Sequence, residues 1–241
     1  MKITVLSTEA EFDAVAAERI LEQMKVPGSV IGLSTGRTTG NMHRIVARRY
    51  NENPFDISTV TFFAQDEIVG IPETNFRACK AMLIKDLMKD IPVKPENFVC
   101  LPTDWKEYPD ACAKFNERLG QIDLLILGLG ENGHLGFNQP GTPFTLGTNV
   151  AELLPAVHES VCKDAGLPSD ARLGGATLGL VEDMKAKKVI LVAKGDNKTE
   201  IVKQIIEGPV CEDVPASILQ KHPDCEYLLD SKAAAALTRK Q

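Results

Sequence analysis

No C-x-x-C pair and no Cys/His spacing of the zinc-binding kind occurs among the six cysteines, Cys79, Cys100, Cys112, Cys162, Cys211 and Cys225. That argues against a metal site and reads as a set of reduced thiols. No stretch approaches the roughly 20 apolar residues that cross a bilayer. The apolar run after Met1 is too short for a signal peptide, so a cytoplasmic protein without a membrane partner is expected. Basic residues are not in excess: 27 Lys and Arg against 33 Asp and Glu leave a net charge of -6. The cluster Arg44, Arg48, Arg49 reads as one solvated helix face, so nucleic acid is not an expected partner. Internal repeats, heptads and low-complexity segments are missing, and the S-T-G-R-T-T-G loop at Ser34 to Gly40 lacks the Lys of a P-loop and is not G-x-G-x-x-G, so nucleotide binding is not specifically indicated. No composition break divides the 241 residues, of which 44% are hydrophobic and 25% charged. These are ordinary globular values, and a single domain over 1–241 is expected.

What is present centres on Asp123 to Thr145, D-L-L-I-L-G-L-G-E-N-G-H-L-G-F-N-Q-P-G-T-P-F-T. Leu124 to Leu127 is the unbroken apolar run of a strand buried on both faces, and it empties into a Gly-rich polar loop. In an open parallel sheet ligands sit at the carboxyl ends of strands, which makes Asn132, His134, Asn138 and Gln139 candidates for a site. His134 is the side chain here that titrates near neutrality.

Before this loop, Ile3 to Leu6 reads as a strand, and T-E-A-E at Thr8 to Glu11 as a capping box opening a helix to about Met24. Ser29 to Leu33 is a second strand, followed by S-T-G-R-T-T-G and a helix ending near Tyr50. A loop of this kind at a helix N-terminus suits a phosphate and serves equally well as a plain turn, so its residues alone leave both open. Thr59 to Phe63 is a strand that runs into Gln65, Asp66 and Glu67. Alternate side chains point oppositely, so one carboxylate enters the crevice while the other braces the loop. A helix over Asn75 to Lys89, a strand over Phe98 to Leu101 and a helix over Pro109 to Gly120 complete this half.

Thr145 to Leu173 is the least regular stretch and is placed as a cover over the crevice; its His158 has no evident partner. Then come a helix over Gly179 to Lys187, a strand over Lys188 to Ala193 and the junction K-G-D-N-K leading to a helix that ends at Glu207. Lys198 falls in that helix's first turn, where a cation is disfavoured unless an anion is near. A loop with a short helix, a strand over Cys225 to Leu229 and an Ala-rich helix over Ser231 to Leu237 end the chain. Such alternation implies a single, doubly wound, mostly parallel sheet with helices on both faces. Its polar loops gather at one edge, and a phosphate loop, a carboxylate and a histidine there describe proton transfer on a phosphorylated metabolite.

T-G-R-T-T-G, Q-D-E-I-V-G-I-P, L-G-L-G-E-N-G-H-L-G-F-N-Q-P-G and G-D-N-K resemble, in order and spacing, the signature segments of glucosamine-6-phosphate deaminases (isomerases). The resemblance implies a Rossmann-like sheet shared with 6-phosphogluconolactonases and ribose-5-phosphate isomerases. It implies conversion of an amino-hexose 6-phosphate, glucosamine 6-phosphate or its galacto epimer, to a ketohexose 6-phosphate and ammonia, without a cofactor. It casts Asp66 as the acid–base group between C2 and C1, and His134 as the aid to ring opening. Thr35, Gly36, Arg37 and Thr38, with Lys198 and Arg172, are cast as phosphate-binding groups. The chain departs where the family has Asp-Gly-His and Asn-Glu-Pro: here Asn132 and Gln139 are amides. Ser34 and Thr39 replace prolines, and Arg37 stands at a position often small. The amides lead to an expectation of slow turnover of glucosamine 6-phosphate or preference for another phosphosugar. The alternatives are a lactonase, in which His134 acts on water, and a non-catalytic sugar-phosphate sensor. A homo-oligomer is admitted but not specified.

Overall fold

The computed structural model describes residues 1–108 and 110–238. Pro109, where the helix over 109–120 was placed to begin, lies outside the described residues. Among them, β1 (Lys2–Leu6), β2 (Val30–Leu33), β3 (Thr61–Ala64), β5 (Phe98–Val99), β6 (Leu124–Gly128), β9 (Lys188–Ala193) and β10 (Cys225–Asp230) form a 7-stranded sheet. The order is β1-β10-β9-β6-β2-β3-β5 and every pairing is parallel. Parallel neighbours need crossovers, and the helices that supply them cover both faces. In β6, Leu124 and Ile126 enter one core with Phe12 and Ile20 of α1 (Glu9–Met24), Met42 and Val46 of α2 (Gly40–Glu52) and Leu83 of α3 (Cys79–Asp86). Leu125 and Leu127 enter the opposite core with Phe115 of α4 (Asp110–Leu119) and Leu180 of α6 (Leu180–Lys185). Ile201 and Ile205 of α7 (Thr199–Glu207) join that second core. Full burial of each such side chain stabilises by roughly 1.5–3 kcal/mol, which is why a continuous apolar run marks a central strand. The Thr8–Glu11 capping box is formed: Thr8 Oγ1 accepts the Glu11 N–H at 3.2 Å and Glu11 accepts the Thr8 N–H at 3.1 Å.

From β1 the chain passes through β2 and β3 to the β5 edge, then returns to β6 and proceeds outward through β9 to β10. The direction of winding therefore reverses between β2 and β6, and their exit loops part there to leave a crevice. Ser34 fixes the mouth, its Oγ donating to Ile126 O at 2.9 Å and accepting the Gly128 N–H at 3.1 Å.

Three features depart from the sequence expectation. A 3-stranded antiparallel sheet, β4 (Asp66–Val69), β8 (Gly174–Thr177) and β7 (Asn149–Ala151), lies beyond the end of β3. Within the stretch read as irregular, α5 (Pro155–Ala165) forms and sends Val157 to the cleft. Residues 231–236 form successive turns rather than a helix, their backbone bonds mixing spans of four residues (Ala234 N–H to Asp230 O) and three (Ala235 N–H to Lys232 O, Leu237 N–H to Ala234 O), each 3.1 Å.

Asp183 of α6 is fully buried with both carboxyl oxygens unpartnered, and burial first, Glu182 second, raises its pKa well above the ordinary value. A raised folded-state pKa favours the native state at pH below the unfolded value and costs stability as pH rises above it. Asp183→Asn is therefore expected to stabilise the protein by about 1–3 kcal/mol at neutral pH. Tm should rise by about 2–4 °C for each kcal/mol. Thermal melts from pH 4 upward check this, since the gap between variant and native should open with rising pH.

Candidate active site

Four of the loops flagged in the sequence converge at the β2/β6 crevice. Asp66 opens β4, directly after Gln65 at the end of β3. It lines a cleft of about 920 Å³ together with Thr35, Gly36 and Arg37 of the loop before α2. Burial raises the Asp66 carboxyl to about 6, and the Cys79 thiol, which donates to it, pulls the other way. Asp66 Oδ1 has no partner, and neither do the buried Gln65 Nε2 and Asn138 Oδ1. Of these three residues Asp66 lines the cleft, and an unpaired acceptor there is what a polar ligand satisfies.

Glu67 faces the other way. Its Oε1 accepts the N–H groups of Ile68 and Cys79, each at 2.8 Å, and its Oε2 accepts that of Lys80 at 2.9 Å. It thus supplies acceptors to the first turn of α3, whose orphan donors and dipole favour a carboxylate there. Burial raises Glu67 to about 7 against the lowering effect of these three N–H groups.

The β6 exit loop carries His134 back over its own turn. A Cβ at Gly130 would lie 2.2 Å from His134 Cε1, so only glycine admits the ring. Asn132 Oδ1 accepts the His134 N–H at 3.2 Å and meets His134 Nδ1 at 2.6 Å, while Asn132 Nδ2 donates to Gln139 Oε1 at 3.2 Å. Both amides therefore lie in one chain with the imidazole, with Gln139 reaching it only through Asn132. An amide oxygen is an acceptor, which fixes Nδ1 as the protonated nitrogen and leaves Nε2 with the lone pair. Burial first and the Lys198 cation second lower the His134 pKa, with Glu131 opposing. Gly136 carries the loop past Asp66 at φ +57°, where a Cβ would come 2.4 Å from Thr177 Oγ1 and 3.6 Å from Asp66 Oδ2. Buried Asn138 fastens the loop by donating to Leu135 O at 3.0 Å and Leu178 O at 2.8 Å.

Lys198 ends the turn Asp196–Lys198 ahead of α7. Burial lowers its pKa, Glu131 raises it and Arg37 lowers it, so Lys198 lies within electrostatic reach of both His134 and the Thr35–Thr38 loop. Glu131 is held by Asn197 Nδ2 at 2.6 Å.

Arg172 is not brought into this group. β4 and β8 run antiparallel with Asp66 opposite Thr177 and Val69 opposite Gly174, so Arg172 falls beyond the end of the ladder remote from Asp66. There its guanidinium lies over the Trp105 ring, 4.1 Å from the centroid, and its carbonyl accepts from Trp105 Nε1 at 2.9 Å. Cys79, Asn41 and Lys85 line the cleft without any signal in the sequence, because α2 and α3 deliver them only by packing.

A carboxylate and an imidazole set beside a loop suited to anions, at the winding reversal of a doubly wound sheet, define an α/β enzyme of the acid–base kind. Residues 7–227 match the profile of the glucosamine-6-phosphate isomerases/6-phosphogluconolactonase family, and the chain belongs to that family. A glucosamine-6-phosphate deaminase of Clostridium perfringens is 34% identical over 242 residues, covering 98% of this chain and 100% of the relative. One from Clostridioides difficile is 32% identical, covering 100% and 98%. Among solved structures, a monomeric glucosamine-6-phosphate deaminase superposes with a TM-score of 0.90 at 27% identity, over 98% of this chain and 100% of that one. A 6-phosphogluconolactonase from Trypanosoma cruzi, at 20% identity and a TM-score of 0.80 over 99% and 97%, shares the fold. No helix among the described residues is long and apolar enough to cross a membrane.

Proposed function

We propose that this protein, acting as one domain over 1–241, converts an amino-hexose 6-phosphate and water into a ketohexose 6-phosphate and ammonia. The observation that carries the reading is the division of labour between adjacent acids. Both oxygens of Glu67 are committed to backbone N–H groups, whereas Asp66 keeps an unpartnered oxygen at the cleft beside the His134 loop. In this reading the phosphate rests on Thr35, Gly36, Arg37 and Thr38 with Lys198 opposite, since a doubly charged group needs donors and a cation. His134 Nε2 accepts the proton of the anomeric hydroxyl and delivers it to the ring oxygen as the bond between C1 and that oxygen breaks. Asp66 takes the C2 proton and returns it to C1 while an amine proton passes to the C1 oxygen, leaving a C1 hydroxyl and a C2 imine that water hydrolyses to the ketone with loss of ammonia. The lactonase and sensor alternatives draw no comparable support, since the lactonase likeness rests on the shared fold and a sensor needs no acid with an open oxygen.

Ammonia release and ketose formation from a panel of amino-sugar 6-phosphates test the reading; release from none of them would overturn it. Lys198→Ala is expected to raise KM roughly 10- to 100-fold with little change in kcat, because a charged hydrogen bond contributes about 1.5–3 kcal/mol and this one serves ground and transition states alike. An unchanged KM for every phosphorylated substrate removes Lys198 from the site.

A further inference from the structure

The fold pairs a thiol with an imidazole outside the catalytic cleft. Cys162 and His158 stand four residues apart on one face of α5, with Cys162 Sγ 3.7 Å from His158 Nδ1. His158 Nε2 lies 2.9 Å from Ala171 O, and a carbonyl only accepts, so Nε2 carries the ring proton and Nδ1 presents its lone pair to the thiol. This is the nucleophile, base and orienting group of an activated nucleophile. Both side chains line a cavity of about 570 Å³ with Leu153, Glu159, Lys163 and Leu167. The cavity is large enough for a small organic molecule.

The other cysteines lack this arrangement. Burial pushes the Cys79 thiol up, and drives Cys100 and Cys225 to about 12. Cys112 is likewise raised by burial, and Cys211 engages Ser217 through its backbone. Among the described residues Cys162, itself 3% exposed, is the thiol with an imidazole at hydrogen-bond distance. We infer that Cys162 is a reactive thiol, activated by His158, and that its cavity is a site of exchange with low-molecular-weight disulfides. The Cys162 proton passes to His158 Nδ1, the thiolate sulfur attacks one sulfur of the disulfide, and the S–S bond breaks as the new one forms. Cys162 is oxidised to a mixed disulfide, and the departing half is reduced to a thiol that takes the proton from His158. This chemistry is independent of the hexosamine reaction, and its readout needs no turnover.

The test is a pulse of an aromatic disulfide on the native full-length protein at neutral pH, with the labelled cysteines located by peptide mass spectrometry. Cys162 should be labelled first, and roughly 10-fold or more faster than the same thiol in the urea-unfolded chain. A merely buried thiol would be slower folded than unfolded. His158→Gln should remove most of that advantage while Cys162→Ser removes the fast phase. If Cys162 in the native protein reacts no faster than in urea, or if folded His158→Gln reacts at the native rate, the inference is overturned.

Discussion

Asp66→Asn is expected to leave the protein folded and to lower kcat by about 10²–10⁴-fold, the usual contribution of a positioned general acid–base group. The amide keeps the shape of the side chain and loses only the ability to take a proton from carbon. Asp66 is raised to about 6 by burial, so as a base it must be ionised and activity should fall as pH drops through that value. Glu67 is raised to about 7 and could produce a similar acid limb, so the two acids must be separated by substitution. Glu67→Gln puts an NH2 group against one of three backbone N–H donors and should cost about 1–3 kcal/mol of stability. Its kcat per folded molecule and its acid limb should stay close to native. Rate–pH profiles and denaturation curves of both variants check this; an active Asp66→Asn beside a folded but inactive Glu67→Gln reverses the assignment.

Asn132→Asp should raise the His134 pKa, the effect of an opposite charge in contact. The contact already exists, since Asn132 Oδ1 is 2.6 Å from Nδ1, so a carboxylate reaches the ring once the Gln139 amide turns its NH2 toward the second oxygen, where Asn132 Nδ2 now donates at 3.2 Å. With the amide, His134 titrates below the ordinary imidazole value and is neutral at pH 7. The neutral ring accepts a proton but does not arrive carrying one, which retunes ring opening. Hence the expectation of slow glucosamine 6-phosphate turnover or preference for another epimer. Adding Gln139→Glu should raise the pKa little further, because residue 139 touches residue 132 at 3.2 Å and two carboxylates there cannot both ionise freely. Ring-proton NMR titration of the single and double variants measures this directly. An unmoved His134 pKa in Asn132→Asp would mean that the amide does not tune the ring.

The sequence alone determined the sheet and its crevice. β6 and β9 are apolar without interruption because both of their faces are covered, and such runs need no tertiary information to be recognised. Thr35, Asp66, His134 and Lys198 follow β2, β3, β6 and β9, and the alternation of strands and helices sets all four at one sheet edge, although the Gly and Thr of the first loop suit a plain turn equally well. The Gly174–Thr177 strand was hidden: it is small and unalternating, and it forms because β4 and β7 offer it partners. The Ala-rich Ser231–Leu237 segment has helix propensity, yet it stays a run of turns with mixed three- and four-residue bonds, since local preference over so short a segment is weak. The family resemblance named Asp66, but residue chemistry left open which acid faces the cleft, since Asp66 and Glu67 are chemically alike and only the position of α3 commits Glu67. Three-dimensional packing also decided that Arg172 rests on Trp105, because ladder register sets that distance through residues far apart in the chain, whereas His158 meets Cys162 by the local spacing of four residues once α5 forms.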